Sequence, residues 1–354
     1  MIGRRRANVV GMGLIGGSIG MALRDQGWTV TGYDREVGRS ARALEIGAID
    51  AVGTDANAHV TFVATPVMSV AEEARQALVA TSGVVTDVGS VKKSICDAVN
   101  DRRFVGGHPM AGSERDGVEA SDPTLFRGAV WVLTPTDATD GQAFADLRGI
   151  VSGLGAEVVS MPPADHDRMV AVVSHVPHLT AATLMALADQ RSGDHRALLR
   201  LAAGGFRDMT RIASGHPGIW PDICETNRGA IVEALDDLIS SLGDIRQMVA
   251  DGQRDDLVKR LVRAREARMN LPVRFGRPSQ LVEVLVPVPD RPGAIAEVAN
   301  TATRLDINIL DLEIMHSAEG PQGVMHLIVE VHRSEEFRAA LAEAGFMTSV
   351  RKLV

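Results

Sequence analysis

Over the first 160 residues, short runs of β-branched and apolar residues alternate with stretches of helical period. The runs fall at 7–10, 28–33, 60–64, 84–88, 104–106, 129–133 and 157–160, with helical spacing at 70–79 and 144–154 among others. Strands separated by helices predict βαβ units and a mostly parallel sheet. Pro162-Pro163 then breaks the pattern. From 164 to 271 no strand run occurs. Instead Ile231, Leu235, Leu238, Leu242, Ile245 and Val249 recur on one helical stripe, and a second helical run covers 256–271. A stripe this wide is covered either within its own chain or by a second subunit. Residues 272–279, with Pro272, Gly276 and Pro278, have the composition of a linker. Beyond them strands at 281–288, 309–316, 324–331 and 346–350, with helices at 294–305 and 335–344, give a βαββαβ order, the ferredoxin-like arrangement. The expected architecture is an α/β Rossmann-type domain (1–163), an all-α domain (164–272) and a small ferredoxin-like domain (280–354).

Composition narrows the class without choosing a function. With 45 % apolar and 23 % charged residues the chain is an ordinary globular protein. The apolar stretches are broken by charges short of a membrane span, and the basic start runs into a glycine loop instead of a leader's apolar core. Two distant cysteines, Cys96 and Cys224, make neither a disulfide framework nor a zinc site. A cytoplasmic protein is expected. The net charge of −8 disfavours nucleic-acid partners, and an anionic substrate would have to be held by local arginines and backbone donors.

Gly11-Met12-Gly13-Leu14-Ile15-Gly16 follows the first strand and opens a helix, the context that turns a weak G-x-G-x-x-G match into a dinucleotide fingerprint. Gly11 permits the tight turn, Gly13 the approach of a pyrophosphate, and Gly16 close packing of helix on strand. The helix N-terminus supplies free N–H groups to phosphates. Asp34 ends the second strand, where a carboxylate accepts ribose hydroxyls and repels a 2′-phosphate, so NAD is the expected cofactor. The neighbouring Arg35 leaves NADP open.

In open α/β sheets ligands sit beyond the carboxyl ends of the strands. Those ends carry Ala64-Thr65-Pro66, Asp87-Val88-Gly89-Ser90-Val91-Lys92 and Gly106-Gly107-His108-Pro109-Met110-Ala111-Gly112-Ser113-Glu114. Thr65 is a candidate cofactor contact. A dehydrogenase acting on a carbinol needs a base, and a histidine such as His108 suits it, although its position alone equally allows a loop-bonding role. Ser90 is placed to cap the following helix, and Lys92 faces either cofactor or solvent. His175 and His178, three apart, share a helix face. No cysteine or second acidic cluster completes a ligand set there, so no metal is expected. Pro177 would disturb that helix.

Taken in order, these motifs, with Ser174-His175-Val176-Pro177-His178 and Arg207-Asp208-Met209-Thr210-Arg211, resemble the prephenate/arogenate dehydrogenase family over nearly the whole chain. The resemblance implies NAD-dependent oxidative decarboxylation of prephenate to 4-hydroxyphenylpyruvate in tyrosine biosynthesis. It further implies His108 as the group bonded to the substrate's ring 4-hydroxyl, with Ser90 beside that hydroxyl. His178 would lie in the substrate cavity, Arg211 on the substrate carboxylate and Glu114 at its entrance, in a homodimer joined through the helical domain. His175 is assigned to support of the structure or of the nearby cofactor, and Trp220 to packing between helices.

Asp290-Arg291-Pro292-Gly293-Ala294-Ile295 and Asp306-Ile307-Asn308-Ile309 resemble the ACT domain, which implies an amino-acid site near Gly293 and Asn308, with tyrosine as effector, or a module that only dimerises. Three rivals stand beside this reading. One is arogenate dehydrogenase. A second is a 3-hydroxyacid dehydrogenase, disfavoured because its second-domain lysine has no counterpart between Ala164 and Lys259. The third is a non-catalytic NAD sensor, which would not need His108, Ser90, His178 and Arg211 together.

Overall fold

The computed structural model describes residues 4–112, 115–192, 201–215, 217–269, 280–289, 291–316 and 322–352. Glu114, Asp290 and the linker 272–279 lie outside the described residues. The chain divides into two compact units, residues 1–193 with 209–239 and residues 194–208 with 240–354.

The first unit holds an eight-stranded sheet. Its strands are β1 (Arg6–Val10), β2 (Thr29–Tyr33), β3 (Ala51–Val52), β4 (Val60–Val63), β5 (Val84–Asp87), β6 (Phe104–Pro109), β7 (Val130–Thr134) and β8 (Glu157–Ser160), in the order β3-β2-β1-β4-β5-β6-β7-β8. All neighbours through β6 are parallel. Helices α1 (Leu14–Asp25), α2 (Val37–Glu45), α3 (Val67–Ala80), α4 (Lys93–Ala98) and α5 (Gly141–Gly153) alternate with the strands. The strand order reverses between β1 and β4, which opens a crevice at their carboxyl ends. Beneath it the alternating apolar positions of β1 and β4 bury Val9 and Phe62 against Ile19 and Leu23 of α1 and against Trp131 and Leu133 of β7.

Two features depart from the sequence pattern. The two-residue β3 is too short to register as a periodic run. Strand β6 does not stop at Gly106 but continues through His108 and Pro109, because antiparallel β7 pairs with it there (His108 opposite Val132, Pro109 opposite Trp131). His108 is therefore held in a sheet ladder, not in a loop.

After β8 the chain is helical: α6 (Pro163–Val170), a π-helical turn Ala171–His175, α7 (Val176–Ser192), α8 (Gly204–Thr210), α9 (Trp220–Thr226), α10 (Arg228–Ala250) and α11 (Arg254–Met269). The π turn lies immediately before Pro177, which has no N–H to give to the preceding turn, so the helix widens there instead of breaking. The run Pro163–Arg191 is long and apolar enough to cross a membrane by length and composition, contrary to the expectation that no stretch qualifies. Its residues His166, Asp167 and His175 are buried and hydrogen-bonded within the first unit. On α10 the predicted stripe is buried only at its start: Ile231 is 4 % exposed, against 53 % for Leu242 and 63 % for Val249.

In the second unit β9 (Leu281–Pro289), α12 (Ala294–Arg304), β10 (Asp311–His316), β11 (Gln322–Glu330), α13 (Ser334–Glu343) and β12 (Ser349–Lys352) form an antiparallel sheet of order β10-β11-β9-β12. Val282, Val284, Val286 and Val288 alternate onto its covered face and meet Val298 of α12 and Phe337 of α13. Gly293 caps the start of α12 in the left-handed region (φ 91°), and Asn308 is exposed after it.

Candidate active site

The crevice is a cleft of about 1280 Å³ whose lining includes Gly11, Gly13, Asp34, Thr65, Ser90 and His108. Gly11 takes φ 94° and donates its N–H to Tyr33 O at 2.8 Å, and a Cβ on it would lie 2.5 Å from Ala64 O. A Cβ on Gly16 would come within 1.9 Å of Gly11 O, so the loop and α1 are packed backbone to backbone. Gly13 precedes the first turn of α1 and has nothing within 4 Å on its open side. Asp34 accepts the Met12 N–H at 2.8 Å and the Glu36 N–H at 2.9 Å, which ties the end of β2 to the glycine loop. Thr65 Oγ1 is buried at the cleft wall without a hydrogen-bond partner among the described residues. An open helix N-terminus, an acidic strand end and an unsatisfied hydroxyl together fit a dinucleotide. Arg35, Arg39 and Arg42 also line this end, with Arg39 paired to Glu36 and Arg42 to Glu45 and Glu119.

Behind the cleft wall, polar residues converge from distant segments. His108 Nδ1 lies 2.8 Å from His166 Nε2, and His166 Nδ1 lies 2.8 Å from Asp167 Oδ1. The Asp167 carboxylate also accepts the backbone N–H of Lys92 (2.7 Å) and of Lys93 (2.9 Å). It thereby caps α4, the role that the sequence assigns to Ser90; Ser90 makes no cap bond and instead lines the cleft. Lys92 faces neither cofactor nor solvent. Its ammonium is fully buried, paired with Asp87 and donating to Gly107 O at 2.7 Å. A buried ammonium demands such partners, and here they brace the strand that carries His108. Asp87 in turn accepts the N–H of Gly89 (2.9 Å) and of Gly107 (3.1 Å).

Electrostatics keep His108 neutral. Burial, then the neighbouring His166, Lys92 and His175, hold its pKa well below the ordinary histidine value. Burial likewise pushes His175 down to about 4. Asn227 Nδ2 donates to Asp167 O at 2.9 Å and lies 3.2 Å from His175 Nδ1.

His178 stacks on Trp220, with ring centroids 3.7 Å apart and planes at 16°. Trp220 thus contacts His178 as well as packing between helices, and its neighbours Ile219, Asp222 and Ile223 line the cleft. Arg211 starts a 3₁₀ turn that packs on α7, the helix bearing His178. It is exposed and, like His178, not part of the cleft wall.

Two family descriptions match the chain in tandem: "Prephenate dehydrogenase, nucleotide-binding domain" over residues 19–160 and "Prephenate dehydrogenase, dimerization domain" over residues 162–263. The chain belongs to the prephenate dehydrogenase family. It is 34 % identical to the prephenate dehydrogenase of Bacillus subtilis over 335 residues, covering 90 % of each chain. Among solved structures it resembles the Aquifex aeolicus prephenate dehydrogenase in complex with hydroxyphenyl propionate and NAD+ (31 % identity, TM-score 0.71, 77 % of this chain and 99 % of that one). It also resembles Synechocystis arogenate dehydrogenase (32 % identity, TM-score 0.68, 74 % and 98 %).

Within this family member, sequence reasoning missed His166, Asp167 and Asn227. The adjacent His166-Asp167 pair just after Pro162-Pro163 was the available signal, since a histidine beside a carboxylate at a helix start is a hydrogen-bonding pair in waiting. Asn227 offered none, because an asparagine between two helices has the composition of a turn.

Proposed function

We propose that this chain is an NAD-dependent prephenate dehydrogenase, forming 4-hydroxyphenylpyruvate and CO₂ on the route to tyrosine in the cytoplasm. The observation that carries the reading is His108, held neutral on a sheet strand at the wall of a dinucleotide cleft. NAD⁺ held by the glycine loop and Asp34 would supply the hydride acceptor for the carbon bearing the ring hydroxyl. His108 takes the proton of that hydroxyl, which a neutral imidazole with a depressed pKa is ready to do near neutral pH. Ser90, on the same wall, orients the hydroxyl. Loss of CO₂ aromatises the ring, and His108 returns its proton to the phenolate oxygen. Arg211 holds a substrate carboxylate through its planar fork, with His178 and its stacked Trp220 on the substrate side and Glu114 at the entrance. Gly11, Gly13, Gly16, Asp34 and Thr65 bind the cofactor, and Asp34 favours NAD over NADP.

The domain limits are 1–163, 164–272 and 280–354. Exposed Val172, Val173, Val232 and Ile239 (60 %, 67 %, 50 % and 65 %) supply apolar surface for a homodimer contact. The βαββαβ unit is an ACT domain that takes tyrosine at Gly293 and Asn308. The testing experiment follows NADH absorbance with prephenate or arogenate and with NAD⁺ or NADP⁺. Turnover with prephenate and NAD⁺ supports the reading, and preference for arogenate keeps the chemistry but changes the substrate. No turnover with either substrate, despite bound NAD⁺, removes it.

A further inference from the structure

The hydrogen bonds around His108 form a directed chain, and its direction can be worked out from the far end. Both Asp167 oxygens accept backbone N–H groups, so the oxygen facing His166 acts as an acceptor. His166 Nδ1, 2.8 Å from that oxygen, must then carry the ring proton and donate it. In the neutral ring this leaves Nε2 with the lone pair. His108 Nδ1, 2.8 Å from His166 Nε2, is therefore the protonated nitrogen of its own ring, and His108 Nε2 has the free lone pair. His166 and Asp167 are only 1 % and 5 % exposed, so water does not compete for these bonds. Asn227 fixes the Asp167 backbone from behind at 2.9 Å.

We propose that His166 and Asp167 are positioning residues that fix the tautomer of His108, leaving Nε2 as the proton acceptor, and share its charge once it is protonated. The proposal rests on the reading of His108 as the base and adds the groups that make it one. Free imidazole prefers the proton on Nε2, the wrong form for taking a proton there. The His166 acceptor reverses that preference through one hydrogen bond. When His108 Nε2 receives the hydroxyl proton, the Nδ1 proton already points at His166 Nε2, and Asp167 stands beyond it to balance the charge. The arrangement extends the logic of a base oriented by a carboxylate, with a second imidazole between the two. No proton leaves the trio until the phenolate oxygen takes one back.

The test uses the full-length protein labelled with ¹⁵N-histidine, without substrate, so that it stands apart from the identity of the reaction. Imidazole ¹⁵N shifts, with His108 assigned by its loss in His108→Asn, report which ring nitrogen is protonated. The expected result is Nδ1–H in the native chain and a return to Nε2–H in His166→Phe. In turnover assays His166→Phe should lower kcat by roughly 10²-fold, within the range for general base catalysis, with KM nearly unchanged. His166→Gln, whose amide oxygen can accept the same N–H, should keep the Nδ1–H form and restore most of the loss; the native-state shifts carry the test if the phenylalanine variant does not fold. Finding Nε2–H on His108 in the native protein overturns the proposal whatever the substrate proves to be. So does an unaltered tautomer in a folded His166→Phe, the outcome expected of a merely structural His166. A native Nδ1–H signal without prephenate turnover would leave the tautomer lock standing and remove the proposed function instead.

Discussion

The nucleotide crevice and the histidine cluster share one compact unit and one cleft, yet they are assembled from the chain in opposite ways. The bond that joins the glycine loop to Asp34 spans 22 residues, one strand–helix–strand step. The bonds that build the cluster span 58 residues from His108 to His166, 75 from Lys92 to Asp167 and 60 from Asp167 to Asn227. The loop depends on backbone sterics, which glycine spacing sets locally. The cluster depends on buried polar groups that satisfy one another only after the helical segment has docked on the sheet. Damage to the first should therefore act on cofactor binding, and damage to the second on chemistry and stability together.

The sharpest break of this comparison is His108→Asn. It should lower kcat by about 10²–10⁴-fold, the usual worth of a general base, while KM and NAD⁺ affinity stay close to native. Retained turnover removes His108 from its role.

Next in size is Lys92→Met, which leaves the Asp87 carboxylate buried without its cation. A cost of about 3–5 kcal/mol is expected for one lost partner of a buried pair, read as a lower denaturation midpoint. An unchanged midpoint means that the Gly89 and Gly107 amides alone suffice for Asp87.

On the other side of the comparison, Gly16→Ala places a methyl against the Gly11 carbonyl. It should cost about 1–3 kcal/mol as overpacking and weaken NAD⁺ binding in a fluorescence titration, with the His108 tautomer untouched. Altered histidine shifts would show that loop and cluster are coupled after all.

The most gradual effect is on acid stability. His175 keeps its neutral form down to about pH 4, whereas the unfolded chain takes up that proton from about pH 6.5. Below 6.5 the unfolded state therefore binds more protons, and stability falls with pH until the folded ring also titrates near 4, by at most about 1.4 kcal/mol per unit for one group. Thermal melts of the native chain should show this fall, and His175→Gln should flatten it. Parallel curves for the two proteins would assign the acid sensitivity elsewhere.

Much of the fold was legible because each part of it repeats locally. The seven strand runs of the first half, the helical segment and the βαββαβ order all rest on period and punctuation, which neighbouring residues settle among themselves. The glycine loop and Asp34 were legible for the same reason. His108 was legible as a residue but not as a strand position, because its place in the ladder depends on β7, more than twenty residues onward. Lys92 was misjudged on both alternatives: a lysine in a Gly-Ser-Val-Lys stretch gives no hint that a carboxylate five residues earlier will be buried with it. Ser90 had the right type for a cap, and Asp167 took that place from 75 residues away.

By itself, then, the sequence determined the order of strands and helices, the glycine loop and the residue types from which a base and a carboxylate anchor could be drawn. Backbone conformation and hydrophobic period are short-range, and the chain carries them in its neighbours. Only the tertiary structure decided which nitrogen of His108 faces the cleft, which carboxylate orients it and where the one fully buried lysine finds its charge partner. Those matters depend on desolvation and on hydrogen-bond geometry between segments that are strangers in sequence, and neither exists until the core has closed.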